Sequence, residues 1–355
     1  MTTATPGPAA PPPRRPRFRY APTPSRWLHV GNGLAALVGW GLARAARGAF
    51  VLRIEDIDRA RCRPEFEDGT LRDLAWLGID WDEGPDVGGP HGPYRQSARM
   101  GRYDALLAGL IAADQAYPCR CSRADVRAAA SAPHHGRTGE PDEVPYPGTC
   151  RPTRGHGPVS LPDDRGGVRL WVEVLGDDAV VSWRDGLLGD QREDVRATCG
   201  DFLLGRPGQP SYQLAVVADD REMGITDVVR GRDLLGSTAR QVLLHRVLSG
   251  PGAAGREGEP AADAAAPRFH HHPLIVDELG RKLSKRDDAI ALRTLRESGA
   301  APAALIASLG RAVGLFPETV RRAHAADFTD ALGGPPELHD GRLVELHHGL
   351  GAARW

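Results

Sequence analysis

Short apolar runs alternate with longer apolar or amphipathic stretches along this chain, the pattern of strands interleaved with helices. A short strand carrying Arg19 and Tyr20 runs into the Pro-rich turn Ala21-Pro22-Thr23-Pro24, and an apolar helix follows over about residues 33–47. A second strand is expected near 50–54, then helices near 67–77 and 98–113. Residues 118–200 read as a mixed α/β insertion with a strand-like run at 168–174. The sheet is expected to resume after 201 with 212–217, followed by a helix at 238–248. Residues 250–266 are Gly/Ala/Pro-rich and read as a flexible loop. A strand at 274–276 and a helix at 303–314 complete the pattern, and no internal repeat is evident. Strands alternating with helices predict an α/β fold around a doubly wound parallel sheet, in which ligands bind beyond the carboxyl ends of the strands.

The first strand–turn–helix unit carries chemistry. His29, Gly31 and Asn32 fall at the start of the helix, where backbone N–H groups and the helix dipole favour phosphate. A capped helix with one polar surface histidine is the alternative. The second signal lies about 250 residues later. Among the 45 basic residues of the chain only Lys282 and Lys285 are lysine, and they stand three apart in Lys282-Leu283-Ser284-Lys285-Arg286. In a chain that uses arginine everywhere else, a compact ammonium on a flexible stem is retained here for a task that a planar guanidinium does not perform. Neutralising the phosphates of a reacting nucleotide is such a task.

The pair resembles the HIGH and KMSKS motifs of class I aminoacyl-tRNA synthetases. The flanking residues resemble the glutamyl branch: Arg19 to Pro24, Leu52 to Asp58, Tyr212 to Val217 with Asp219 and Asp220, and Val229 to Leu234. The likeness runs in the same order over about residues 17–315. It is strongest to the short glutamyl-Q tRNA(Asp) synthetase branch, whose members activate glutamate with ATP and attach it to a queuosine base in the anticodon of tRNA(Asp). The resemblance implies a Rossmann-like catalytic domain, with Arg19, Tyr20, Ala21, Pro22, Thr23, Glu55, Tyr212 and Arg230 contacting glutamate. It implies that His29 and Lys285 serve ATP, with Gly31 and Asn32 beside the nucleotide and Lys282 on the pyrophosphate side. Magnesium is expected with ATP, held by phosphates and water. Two positions depart from the pattern. Arg26, followed by Trp27, stands where the family usually has glycine, and Arg286 ends the lysine loop where the family has serine.

The residues support the same chemistry on their own terms. Glutamate carries two carboxylates and an ammonium, so a site for it needs fixed guanidinium groups and one carboxylate. Arg19, Glu55 and Arg230 supply that set, each ending or following an expected strand, and Tyr212 adds a hydroxyl and a flat wall. A surface ion pair is the alternative for Glu55 and Arg230, and a core position for Tyr212.

Five cysteines are present. Cys119-Arg120-Cys121 followed by Cys150 supplies three thiolates, which with one more donor make a closed structural zinc site. Three reduced cysteines are the alternative. In the short glutamyl-Q branch, which this run resembles, the fourth ligand is a tyrosine, here Tyr146. Cys62 and Cys199 read as free structural thiols. The intervening residues 128–143 are polar and Ala/Gly/Pro-rich, and read as an inserted loop. His270, His271 and His272 form a possible metal tract, with a strand entry making ordinary polar contacts as the alternative.

Composition bounds the rest. With 46 acidic residues against 45 basic, the chain is not polybasic, so RNA binding requires local concentration of arginines. Arg59, Arg61, Arg63, Arg120, Arg123 and Arg127 are candidates, as is an ordinary solvated face. The cysteine pattern suits a reducing compartment and a cytoplasmic location. No apolar run reaches membrane-spanning length, and a monomer is expected. The reading divides the chain into a disordered tail at 1–16, half-domains at 17–117 and 201–290, the zinc-bearing insertion at 118–200, and a short helical part at 291–355. After Arg286 the chain runs only to Trp355, too short for the helical anticodon-binding domain of full-length glutamyl-tRNA synthetases, so that domain is expected to be absent. Two other functions fit the residues: a glutamate-adenylating relative with another acceptor (a small molecule, peptide or carrier), and a non-catalytic relative that binds tRNA or glutamate.

Overall fold

The structure, a computed structural model, describes residues 15–122, 124–126, 145–152, 166–250, 266–276 and 291–333, and the backbone of 341–342. The tail at 1–14, the loop at 128–143, Arg123 and Arg127, the loop at 251–265, the segment 277–290 with both lysines, and residues 343–355 lie outside the described residues.

The first element is β1 (Arg17–Tyr20), followed by α1 (Val30–Ala45), β2 (Ala49–Leu52), α2 (Pro64–Trp76) and α3 (Met100–Ala112). β3 (Ala116–Cys119) and β4 (Gly167–Leu170) lead to the hairpin β5 (Val180–Asp185) and β6 (Gly189–Asp194). One turn of helix, α4 (Val195–Thr198), precedes β7 (Leu203–Arg206), β8 (Gln209–Pro210) and α5 (Tyr212–Glu222). β9 (Asp227–Gly231), α6 (Thr238–Val247), β10 (Arg268–His272) and β11 (Ile275–Val276) follow, and then α7 (Leu292–Glu297), α8 (Pro302–Ala312) and α9 (Ala325–Leu332).

The larger sheet has the order β2-β1-β9-β10-β5-β6. Every neighbouring pair is parallel except the hairpin β5–β6. From β1 the chain winds outward to β2 on one side and later to β9 and β10 on the other. The strand order therefore reverses between β1 and β9, and the crevice beyond their carboxyl ends is the expected ligand position. Both faces of the sheet are covered, which is why its strands are apolar at consecutive positions. Phe50, Leu52 and Val229 pack with α1, α8 and α9 on one face. Val51, Val228 and Phe269 pack with α3, α5 and α6 on the other. Small residues let α1 approach its neighbours: a Cβ on Gly41 would lie 3.2 Å from the backbone of Phe328 and 3.0 Å from Leu332.

The helix expected at 33–47 begins earlier, at Val30, because His29 caps it. Two elements differ in kind from the sequence expectation. Residues 212–217 form the first half of α5 rather than a strand, with the Ser211 hydroxyl accepting from Leu214 N–H at 3.3 Å. The run Leu214 to Ala218 is apolar because the helix is buried on all sides, and a short apolar run does not distinguish that from a strand. The strand expected at 168–174 ends at Leu170. Asp201 accepts from Val172 N–H at 2.9 Å, and a 3-10 stretch takes over at Val172–Ala179.

The smaller antiparallel sheet has the order β3-β4-β7-β8. The limits 118 and 200 cut across both sheets: the hairpin at 180–194 joins the edge of the larger one, and 203–210 completes the smaller one. No helix among the described residues is long and apolar enough to cross a membrane.

Candidate functional site

A cleft of about 280 Å³ opens where the strand order reverses. β1 brings Arg19 and Tyr20 to it, and the turn adds Ala21, Pro22 and Thr23. The turn is fastened by main-chain bonds: Arg53 N–H donates to Tyr20, Glu55 N–H to Pro22 and Arg63 N–H to Pro24, at 3.0–3.1 Å. His29, Gly31 and Asn32 line the cleft at the start of α1, Glu55 follows β2, Tyr212 begins α5, and Arg230 is the last residue but one of β9. Every described residue expected to serve glutamate or ATP is thus in one cleft. Lys282 and Lys285 lie outside the described residues. The described flanks of their segment both reach the site: Ile275 lines the cleft, and Ala291 is bridged to His29.

His29 is set by its own helix. Its Nδ1 accepts from Gly31 N–H at 3.1 Å, while its backbone N–H donates to Asn32 Oδ1 at 3.1 Å. Accepting at Nδ1 leaves the proton of the neutral ring on Nε2. Both residues that depart from the family turn line the cleft. Arg26 is exposed there, and Trp27 also packs edge-on against Phe66 at 4.9 Å, beneath the Arg293 guanidinium at 4.2 Å.

Glu55 and Arg230 do not form a surface ion pair. Both are buried, and Glu55 pairs instead with Arg53 at 3.1 Å. Arg53, fully buried, also bonds Asp220 at 2.7 Å and lies 3.7 Å from Asp219. Arg19 faces Asp220 at 3.4 Å. Burial raises the Glu55 pKa, and the charges of Arg53 and Arg19 oppose that rise. Asp220 is held below the ordinary carboxylate range: burial works against its charge, and Arg19 and Arg53 outweigh it.

Arg230 is different. Its Nε donates to His271 Nε2 at 3.0 Å, and its two terminal nitrogens donate to Gln241 Oε1 and Thr238 Oγ1, each at 2.7 Å. Tyr212 also hydrogen-bonds it, and Tyr212 is the most exposed of the group, a cleft wall rather than a core residue. Among the described residues no carboxylate pairs with this guanidinium. Burial lowers its pKa. A buried cation whose acceptors are all neutral is a site prepared for an anionic ligand.

Sequence reasoning missed Gln241, Thr238 and Asp185 here, because nothing in their local patterns marks them. The three histidines do not converge on a metal. His270 bonds Asp227 at 2.9 Å, His271 bonds Asp185 at 2.5 Å, and His272 bonds the Pro273 carbonyl at 2.7 Å. They are strand β10 making separate polar contacts.

The thiols do converge. Cys119 ends β3 and Cys121 follows, while Tyr146 is bridged to Gly200 and Cys150 follows a turn at Gly148. The three Sγ atoms lie within 4.8 Å of one another, with Cys121 and Cys150 3.6 Å apart. The Tyr146 hydroxyl is 3.4 Å from Cys119 Sγ and 3.5 Å from Cys121 Sγ. Arg169 donates to Cys119 Sγ at 3.2 Å and stacks 3.8 Å over the Tyr146 ring, offsetting thiolate charge. Burial raises the Cys150 pKa, but hydrogen bonds from Tyr146 and from the Arg120 backbone outweigh it and bring the thiol down to about 7. Burial and the neighbouring sulfurs push the Tyr146 phenol up. This group could hold a metal ion.

Comparison with known proteins shows the family. The profile of the family described as tRNA synthetases class I (E and Q), catalytic domain, matches residues 16–326. A glutamyl-Q tRNA(Asp) synthetase of Symbiobacterium thermophilum is 45% identical over 311 residues, covering 85% of this chain and 88% of that protein. A protein of the same name from Nitratidesulfovibrio vulgaris is 41% identical, covering 86% of this chain and 89% of that one. The crystal structure of a glutamate tRNA ligase from Elizabethkingia meningosepticum, in complex with its amino acid, superposes with a TM-score of 0.71 at 27% identity, covering 93% of this chain and 67% of that one. With the profile spanning most of its length, the chain belongs to the class I tRNA synthetases (E and Q), catalytic-domain family.

Proposed function

We propose that this protein activates L-glutamate with ATP and transfers the glutamyl group to the queuosine base of tRNA(Asp), acting in the cytoplasm. The observation that carries the reading is the Arg230 guanidinium, buried at the cleft and held by neutral acceptors alone among the described residues. Arg19 on the neighbouring strand β1 and Glu55 after β2 line the same cleft. Arg230 and Arg19 bind the glutamate carboxylates, Glu55 takes the ammonium, and Tyr212 forms the wall. The names of the 45% and 41% identical relatives support the acceptor.

In the first step a glutamate carboxylate oxygen attacks the α-phosphorus of ATP and pyrophosphate leaves. The enzyme contributes position and fixed positive charge, since negative charge spreads over the phosphoryl oxygens in the transition state. His29, protonated at Nε2, donates to phosphate, and the N–H groups at the start of α1 add to that field. Lys282 and Lys285 neutralise the pyrophosphate side, and the placement of Ile275 and Ala291 at the cleft supports this role. Magnesium accompanies ATP.

We assign a structural zinc to Cys119, Cys121, Cys150 and Tyr146. Tetrahedral zinc with Zn–S of about 2.3 Å and Zn–O of about 2.1 Å needs S···S near 3.8 Å and S···O near 3.6 Å. The separations of 3.6 Å for the sulfurs of Cys121 and Cys150, and 3.4 and 3.5 Å for tyrosine oxygen to sulfur, fit such an ion. Zinc would lower the phenol pKa and staple the ends of the smaller sheet.

ATP–pyrophosphate exchange with glutamate, glutamine and aspartate tests the reading, without tRNA and then with tRNA(Asp) bearing or lacking queuosine. Glutamate-specific exchange without tRNA, with label transferred only to queuosine-bearing tRNA(Asp), is expected. Exchange without transfer would assign a different acceptor, and no exchange with zinc present would reject the enzymatic reading.

A further inference from the structure

We propose that Asp185 and His271 are positioning residues that fix the guanidinium of Arg230 for glutamate, through a single obligatory tautomer of the His271 ring. The inference rests on Arg230 being a glutamate ligand. It adds two residues, one from the β5–β6 hairpin and one from β10, that never reach the substrate.

Hydrogen-bond direction carries the argument. Arginine has only donors, so the Arg230 Nε–H at 3.0 Å requires His271 Nε2 to be an acceptor. The ring proton must then sit on Nδ1, which faces Asp185 Oδ2 at 2.5 Å. Thr238 Oγ1 lies 3.1 Å from the same Nε2 and accepts from an Arg230 terminal nitrogen at 2.7 Å, so its hydroxyl proton also points to Nε2. All three residues of the Asp185–His271–Arg230 line are buried. A proton on the wrong nitrogen would set two donors against each other, with no water to relieve them.

The charged or titratable groups facing His271 are Asp185 from β5, Arg230 from β9 and the neighbouring His270, itself bonded to Asp227. α6 presents the neutral Thr238 to the ring, and Phe269 stacks on it. Burial, Arg230 and His270 disfavour a charged ring, and Asp185 favours one; the net effect lowers the His271 pKa.

Asp185→Asn isolates the tautomer from the fold. Asp185 Oδ1 accepts from the backbone of Leu187, Leu188 and His271 at 3.0–3.2 Å, and an asparagine oxygen keeps all three bonds. Its amide nitrogen replaces Oδ2 and donates to Nδ1, moving the ring proton to Nε2 against Arg230. The same logic lies behind the loss of activity when a triad aspartate becomes asparagine. In glutamate-dependent ATP–pyrophosphate exchange, Asp185→Asn should raise the KM for glutamate by at least about tenfold, a single misdirected buried hydrogen bond being worth that much. The KM for ATP should hardly move, while the melting temperature should fall by a few degrees, the cost of two buried donors set against each other. His271→Leu should raise the glutamate KM likewise, at a larger cost in melting temperature because the Asp185 carboxylate loses its buried ring partner, and His271→Gln, which restores an acceptor toward Arg230, should recover most of the affinity. In the wild type the glutamate KM should rise as pH falls, because Glu55 gains a proton and the His271 ring takes a second one; in His271→Gln the ring's share of that rise should be missing and only that of Glu55 should remain.

The proposal is overturned by an Asp185→Asn enzyme with an unchanged glutamate KM, by equal losses for ATP and glutamate, or by a glutamine variant no better than leucine. Arg230→Gln separates the two layers. An unchanged glutamate KM there would reject Arg230 as a ligand whatever the relay variants show.

Discussion

Arg53→Met tests the idea that the glutamate site is held up by a buried charge cluster. Arg53 has no exposed surface, and its guanidinium is shared by Asp220 at 2.7 Å, Glu55 at 3.1 Å and Asp219 at 3.7 Å. Methionine fills comparable volume without charge. The substitution leaves Asp220 with Arg19 alone at 3.4 Å, and removes the hydrogen-bonded partner of Glu55. Breaking a buried pair from one side costs about 3–5 kcal/mol. At roughly 2–4 °C per kcal/mol for a domain of this size, the melting temperature should fall by about 6–20 °C. The loss should depend on pH in a definite direction. The Glu55 pKa already stands above its ordinary value through burial, and without Arg53 it rises further. A carboxyl whose folded pKa is raised binds its proton more tightly folded than unfolded. Stability therefore falls as pH climbs from the ordinary carboxylate value through the raised one. The deficit of Arg53→Met relative to wild type should be largest at neutral pH and shrink near pH 5. Glutamate binding should weaken in parallel, because a protonated Glu55 no longer pairs with an ammonium. Urea unfolding and calorimetry across pH 5–8 supply the measurements. A melting temperature within about 3 °C of wild type, or a deficit that does not shrink on acidification, would refute the reasoning.

Two further outcomes follow from the same structure. His245 is buried and its pKa is pushed down to about 4, chiefly by burial. The unfolded chain takes up that proton near 6.5, so the contribution is intact above pH 6.5 and lost as pH falls toward 4, up to about 3 kcal/mol. His245→Gln should flatten the stability profile across that window, and parallel profiles for the two proteins would exclude it. Metal analysis of the purified protein should find about one zinc per chain, dropping well below half in Cys150→Ser. The melting temperature should fall on chelation; an unchanged metal content in the variant would remove Cys150 from the ligand set.

The cleft was legible to an unusual degree. Arg19, Glu55, Tyr212 and Arg230 are separated by up to 211 positions yet line one cavity, and His29 caps the helix that the apolar run announced. These residues were legible because their types and order resemble a known family's motifs, a signal that survives even where the element itself was misread, as at Tyr212. Cys119, Cys121 and Cys150 were legible from residue type and spacing, and the structure brings their sulfurs within 4.8 Å of one another. The supporting residues were not legible. Gln241 and Thr238 stand on a helix whose sequence is unremarkable, and Asp185 sits at a hairpin turn in what reads as an insertion. The histidine tract drew attention for metal binding, although alternation along a strand sends neighbouring side chains to different partners.

Local sequence determined the alternation of strands and helices over residues 17–113, the capped turn before α1 and the Cys119-Arg120-Cys121 pair, because each depends on neighbours within a few residues. It misassigned Tyr212 to Val217 to the sheet, since a short apolar run such as Leu214 to Val217 suits a buried strand as well as a buried helix. Only the tertiary structure decided that the β5–β6 hairpin joins the larger sheet, that Arg53 rather than Arg230 pairs with Glu55, and that Arg230 hydrogen-bonds only neutral acceptors among the described residues. Those outcomes depend on burial and on hydrogen-bond direction between segments distant in the chain, quantities that exist only once the segments have packed.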